Sequence, residues 1–145
     1  MAEAPRWSKS PVYFSTNDNS IRRYMNIVNN SQYMGTQEGS PSLITVKGPC
    51  SVNPTWILLQ NANVVASDGF ALTLSSSEEL VVSSYPENQY ARVYQQDGSY
   101  SDVSQLQDFA LSNFVTIPEG NSVLLFTVDK NTKVEMTFRE ERLLV

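Results

Sequence analysis

The sequence predicts an all-β domain, an antiparallel β-sandwich of jelly-roll or galectin-like type, with one short helix and an extended N-terminal arm. Three observations point there. Val134, Met136 and Phe138 alternate with Lys133, Glu135, Thr137 and Arg139, the period-2 pattern of a strand with one dry face and one wet face. Val123 to Val128 is almost wholly apolar, as in a strand covered on both sides or set in the middle of a sheet. About nine short β segments are separated by turn signals, which is the spacing of a sandwich.

From the N-terminus, Met1–Ser20 reads as a flexible arm. Pro5, Pro11 and scattered polar residues prevent a helix there. Its isolated aromatics, Trp7, Tyr13 and Phe14, are candidate contacts, either with the sandwich or with a partner. The sandwich domain is expected over residues 21–145. Arg22–Asn29 is its first strand, with Tyr24, Asn26 and Val28 on one side and Met25, Ile27 and Asn29 on the other. Tyr33–Pro41 is a polar loop. Leu43–Lys47 is stopped by Gly48-Pro49, and Thr55–Gln60 starts after Asn53-Pro54. Asn61-Ala62-Asn63 reads as a turn. Ser67-Asp68-Gly69 reads as another, leading into a strand in which Phe70, Leu72 and Leu74 alternate with Ala71, Thr73 and Ser75.

Leu80–Ser83 is a further short strand. Tyr90–Tyr94 and the segment from Ser99 flank Gln96-Asp97-Gly98, and Asp-Gly is a strong hairpin signal. Gln105–Leu111 is the one plausible helix, with Val103, Leu106, Phe109 and Ala110 on one side and Ser104 or Asp102 as its cap. Phe114–Arg139 then reads as three strands and two turns, Pro118–Asn121 and Asp129–Asn131, forming the hairpin core.

The chain has 145 residues, enough for one domain with a real core. Only 17% are charged, and Ser, Asn and Gln take the place of the missing charge. Such side chains compete for backbone hydrogen bonds and suit strands and loops better than helices. The net charge of −5 argues against nucleic acid, which needs clustered cations, and against an anionic membrane surface. No apolar run approaches the roughly 18–20 residues of a membrane-spanning helix. The N-terminus shows no hydrophobic signal core, so synthesis in the cytoplasm is expected. Cys50 is the single cysteine and is expected to be a packed, inert thiol. Histidine is absent, which removes Ser-His-Asp and Cys-His catalysis and every histidine metal site. No cofactor and no enzymatic activity are expected.

Candidate binding residues concentrate between Tyr85 and Tyr100. Trp56, Tyr85, Tyr90, Tyr94 and Tyr100 are the aromatics for a stacking platform, and Asn88, Arg92 and Asp97 are hydrogen-bonding neighbours suited to sugar hydroxyls or a protein partner. The competing reading makes the tyrosines ordinary half-buried strand residues. Glu78-Glu79 and Glu140-Glu141 are adjacent carboxylates. Neighbours on a strand point to opposite faces, so each pair reads as a solvated edge rather than a glycosidase dyad. Asn29-Asn30-Ser31 fits the glycosylation pattern but carries no weight without a secretion signal.

The order of pieces from Tyr24 onward resembles the C-terminal half of the distal tail proteins of long, non-contractile-tailed bacteriophages. The elements are IVNNSQY, the strand Ile44–Gly48, the pair Asn53-Pro54, Glu78–Ser84, the hairpin at Asp97-Gly98, the F-x-x-I-P-x-G-x element Phe114–Asn121, and a closing strand over Val134–Leu144. The resemblance covers roughly residues 24–145. It implies a galectin-like sandwich carried outside a hexameric ring, with the ring-forming half missing from this chain. It implies a structural protein of a phage or prophage tail tip, located in the virion, that docks other tail or adhesion proteins or self-associates. The alternative is a carbohydrate-binding module that recognises a host cell-wall polysaccharide.

Overall fold

The computed structural model describes residues 20–31 and 39–140. Nine strands run in the order β1 (Ser20–Asn29), β2 (Ser42–Lys47), β3 (Thr55–Gln60), β4 (Asn63–Gly69), β5 (Glu79–Ser83), β6 (Tyr90–Tyr94), β7 (Tyr100–Asp102), β8 (Gly120–Asp129) and β9 (Lys133–Phe138). They form a four-stranded sheet, β1-β8-β3-β4, and a five-stranded sheet, β7-β6-β5-β2-β9, and every pairing is antiparallel. The two sheets pack face to face as a β-sandwich, so the expected fold class is the observed one. The arm before Ser20, with Trp7, Tyr13 and Phe14, lies outside the described residues.

The core follows from strand periodicity. In β8, Ser122, Leu124, Phe126 and Val128 are buried while Val123, Leu125 and Thr127 are half-buried. That strand lies between β1 and β3, as its apolar run implies. Opposite it, β2 turns Ile44 and Val46 inward, β5 turns Leu80 and Val82, and β6 turns Ala91 and Val93. Trp56 of β3 sits against its cross-strand neighbour Phe126 of β8 at 5.8 Å and against Phe70 at 5.9 Å between ring centroids, an aromatic cluster on the inner face of the four-stranded sheet. Val134, Met136 and Phe138 of β9 close the core at one edge, as the alternation in that strand requires. Cys50 is buried in the same core as a free thiol, and its Sγ–H donates to the Val52 carbonyl at 3.2 Å.

Four expectations are corrected. β8 and β9 do not pair; the turn Asp129–Thr132 carries the chain from one sheet to the other, so Phe114–Arg139 is a crossing and not a hairpin. The segment Phe114–Ile117 contributes only a bridge, Ser40 to Ile117, instead of a third strand. The strand placed at Phe70–Ser75 is displaced to Asn63–Gly69, leaving isolated bridges at Phe70 and Leu74. The helix expected over Gln105–Leu111 is a single 3-10 turn, Ser104–Leu106.

One buried carboxylate explains the last two. Asp68, fully buried at the end of β4, accepts from Gly69 N at 2.8 Å, Gln107 Nε2 at 2.9 Å, Asn113 Nδ2 at 3.0 Å and Phe114 N at 3.1 Å. Asp108 N and Asn113 N donate to the carbonyls of Gly69 and Ser67, so the segment after Ser104 is drawn along the end of β4 and cannot coil. Burial pushes the Asp68 carboxyl above its ordinary pKa, and its hydrogen bonds pull only part of the way back. Asn29, in the glycosylation-like triplet, is equally committed: it is buried and donates to Ile117 O at 2.8 Å and Ser40 Oγ at 3.1 Å, out of reach of any modifying enzyme.

Two predictions follow from these positions. The β3–β4 turn is a two-residue hairpin loop with Asn61 at φ 54° and Ala62 at φ 66°, both left-handed. Asn tolerates that region and Ala does not, so Ala62→Gly is expected to stabilise the fold by about 1 kcal/mol in denaturant titration. Asp68→Ala takes the acceptor from Gly69 N, Gln107 Nε2 and Phe114 N, while Asn113 Nδ2 keeps Asp108 O, and is expected to cost about 3 kcal/mol at neutral pH. Because the folded carboxyl pKa is raised, its contribution is fullest in acid and diminishes as pH rises through the shifted value. The loss measured for Asp68→Ala is therefore expected to be larger near pH 3 than near pH 6.

Candidate functional site

The outer face of the five-stranded sheet carries the site. Residues at every second position of β6, namely Tyr90, Arg92 and Tyr94, point away from the core because Ala91 and Val93 point into it. Register places Tyr94 opposite Tyr100 of β7 and Arg92 opposite Asp102. The Arg92 guanidinium lies 4.0 Å from the Tyr90 ring centroid and 4.3 Å from that of Tyr100, and its Nη1 donates to the Tyr94 hydroxyl at 3.2 Å. Tyr94 and Tyr100 are 5.3 Å apart at 49°. Burial raises the Tyr90 phenol pKa, and the Tyr94 hydrogen bond raises that of Arg92. The patch is thus a neutral aromatic surface organised around one permanent cation. Beneath it, Val81 of β5 is only 8% exposed although it faces outward, since Arg92 is its cross-strand partner and lies over the sheet.

A groove of about 880 Å³ opens beside this patch, at the end of the sheet that bears Tyr94. Register lines up Tyr100, Tyr94, Glu79, Lys47 and Lys133 in one row, one residue from each strand, and all but Tyr100 line the groove. The surrounding loops are tied in place. The Glu78 carboxylate accepts from Ser75 N at 2.8 Å and Gln95 Nε2 at 2.9 Å, joining the loop before β5 to the β6–β7 turn, and these bonds hold its pKa below the ordinary range. Gly48 N donates to the Glu78 carbonyl at 2.9 Å, and a Cβ on Gly48 would lie 1.9 Å from Ser75 O, so only glycine permits this approach. Thr132 Oγ1 donates to Pro49 O at 2.8 Å and secures the opposite rim. Asp97 and Gly98 shape the β6–β7 turn: Gly98 takes φ 90°, and Asp97 Oδ1 accepts from Ser99 N at 3.0 Å and Ser99 Oγ at 2.6 Å, lowering its pKa.

The eight residues singled out in the sequence therefore divide. Tyr90, Arg92, Tyr94 and Tyr100 come together. Asp97 stands at the rim of the groove as a turn former. Tyr85 and Asn88 lie at the far hairpin, β5 to β6, where Arg139 stacks 5.1 Å from the Tyr85 ring centroid and pairs with Glu87 at 3.1 Å, and Asn88 N donates to Tyr85 O. Trp56 is a correction: it is 1% exposed in the core and cannot stack on a ligand. Sequence reasoning passed over Lys47, Lys133 and Asn131. The lysines occupy outward positions of alternating strands, so their exposure was readable, but their adjacency depends on the β2–β9 pairing of segments 86 positions apart.

The opposite face of the molecule differs in character. On the outer side of the four-stranded sheet, Tyr24, Leu125, Ile57 and Ser67 form one cross-strand row and Asn26, Val123, Leu59 and Val64 the next, so that each row has three apolar members and one polar one at its edge. Tyr24, Val28, Val64 and Val65 are about half exposed. A β-bulge after Leu58 leaves Val65 without a strand partner. No helix among the described residues is long and apolar enough to cross a membrane.

Fold and site together define a two-sheet antiparallel β-sandwich with an aromatic–cationic face and an apolar face. Compared with known proteins, the chain matches no family model, no curated protein and no solved structure.

Replacing Arg92 tests how the aromatic patch is held. Arg92→Ala is expected to uncover Val81, release Tyr90 and Tyr100 and lower the thermal midpoint. Lys47→Ala, which breaks only the exposed 3.2 Å pair with Glu135, is expected to leave it nearly unchanged.

Proposed function

We propose that the protein is a non-enzymatic structural component of a phage or prophage tail tip, acting as a docking domain for other tail or adhesion proteins. The observation that carries this reading is the apolar outer face of the four-stranded sheet. A sheet face left to water normally alternates polar residues outward. Here Ile57, Leu59, Val123 and Leu125 stand at those outward positions, with Tyr24 and Val64 beside them. Contiguous apolar surface of this kind belongs to association. The motif order over residues 24–145 adds the tail-tip setting by resemblance. Among the described residues the carboxyl raised above its ordinary range, Asp68, is sealed in the core, while hydrogen bonds lower those of Glu78, Asp97, Asp102 and Asp129.

A second reading, glycan recognition, is favoured by the polar groove beside Tyr94 and Tyr100. Flat aromatic faces next to amides and charges suit sugar rings and hydroxyls.

The docking reading is tested on particles. Antibody labelling of virions against this chain is expected to mark the tail tip. The double variant Ile57→Glu, Leu125→Glu, which changes only outward positions, is expected to fold yet fail to enter particles. Label elsewhere on the particle, or normal incorporation of the variant, would refute the proposal.

A further inference from the structure

We propose that the outer edge of β1 pairs antiparallel with the same edge of a second copy, about a two-fold axis at Asn26, joining two four-stranded sheets into one of eight strands. The inference concerns a sheet edge and stands apart from the docking reading, which rests on a sheet face.

Among the described residues the sandwich has four sheet edges, β1 and β4 in one sheet and β7 and β9 in the other. An edge strand offers unpaired N–H and C=O groups to any strand that meets it, and proteins normally blunt it. Three of these edges are blunted, each in its own way. β4 is bent by its bulge at Val65, and the chain after Asp108 is laid along it: Ser67 N donates to Ser112 Oγ at 2.7 Å and Asn113 N donates to Ser67 O at 2.8 Å. β7 is only three residues long. β9 carries exposed Lys133 and Glu135.

β1 has none of these devices. It is ten residues long and pairs with β8 at ten consecutive positions without a bulge. It contains no proline, glycine, lysine or acidic residue. Its two charges, Arg22 and Arg23, fall in its first half, and Arg23 reaches the β8–β9 turn, where it donates to the carbonyls of Lys130 and Thr132. Residues 24–29 are an uncharged run rich in strand-forming side chains, a composition that pairs readily with other strands. Among the described residues, no strand lies on the other side of β1. Just past it, Asn30 N donates to Glu140 Oε2 at 3.0 Å, which closes the edge at that end.

A second copy is the occupant because the strand complements itself. Identical edges related by a two-fold axis pair antiparallel, the pairing used throughout this fold. Facing residues then share one side of the sheet. With Asn26 on the axis, Tyr24 of each copy faces Val28 of the other, and Met25 faces Ile27. Tyr24 and Val28 are about half exposed in the single chain and cover each other in the pair. Arg22 and Arg23 face Asn30 and Asn29, so like charges do not meet. Moving the axis by one residue sets Arg23 against Ile27, or Tyr24 against Asn30, and loses this match. The row Asn26, Val123, Leu59 and Val64 runs through the axis into the same row of the second copy, which doubles the apolar face.

Light scattering of the full chain over rising concentration is expected to show a monomer–dimer equilibrium. Asn26 is exposed, so its variants are expected to keep the fold, which thermal melts check. Asn26→Lys and Asn26→Asp each set like charges face to face on the axis, and each is expected to weaken dimerisation about tenfold, or about 1.4 kcal/mol. Mixed in equal amounts, the two variants are expected to dimerise again, because residue 26 is the one that faces itself. The face variant Ile57→Glu, Leu125→Glu is expected to leave the dimer in place. A monomer at every concentration would overturn the inference and leave the docking reading standing. A dimer that Asn26→Lys does not weaken, a mixture that does not recover, or a dimer lost in the face variant would overturn it as well.

Discussion

The contact of Trp56 with Phe70 and Phe126 fills the inner face of the four-stranded sheet with three large buried rings. The indole is buried, yet its Nε1 has no hydrogen-bond partner. Leaving that group dry is unfavourable by about 1–3 kcal/mol. The ring stays because its apolar area, wedged between two other rings, outweighs the unpaired donor. Everything outside the core inherits its direction from this packing. Once Trp56 and Phe126 face inward, Ile57 and Leu125 must face out, and the apolar patch becomes a consequence of strand periodicity. The same holds across the sandwich, where Ala91 and Val93 inward set Tyr90, Arg92 and Tyr94 outward.

Local patterns were legible wherever a strand's two faces differ in polarity. β3 and β6 fall where the sequence places them, and both sides of β1 are assigned correctly. Two of the failures have a shared cause. Ser67-Asp68-Gly69 has the composition of a turn, but Asp68 is the end of a strand because four donors, three of them 39 to 46 residues later, converge on its carboxylate. The helix signal at Gln105–Leu111 was overridden by the same residue, which captures Gln107. The β8–β9 turn has ordinary hairpin chemistry, and nothing local says that the chain leaves one sheet for the other there. Long-range polar contacts override local propensity at Asp68 and at Gln107.

The candidate site shows the same division. Four aromatic and cationic residues of the patch were readable because they lie within eleven positions on one hairpin. Trp56 was misjudged because an aromatic at an alternating position is equally compatible with core and platform until its neighbours are known. The lysine end of the row was invisible for the opposite reason: its two residues are ordinary solvent-facing lysines, and only the register of β2 against β9 makes them a pair.

The two faces are suited to different kinds of contact. The four-stranded side presents aliphatic rows on a broad sheet, with little to orient a small polar ligand and much to bury against another protein. The five-stranded side presents a narrow row that runs from Tyr100 and Tyr94 through Glu79 to Lys47 and Lys133, beside loops that are tied down. A partner that covers the first face leaves the second free, since the packed core lies between them. The close-packed layer of Leu124, Phe126 and Trp56, with Ile44, Val46 and Leu80 of the other sheet, keeps the two surfaces in fixed relation.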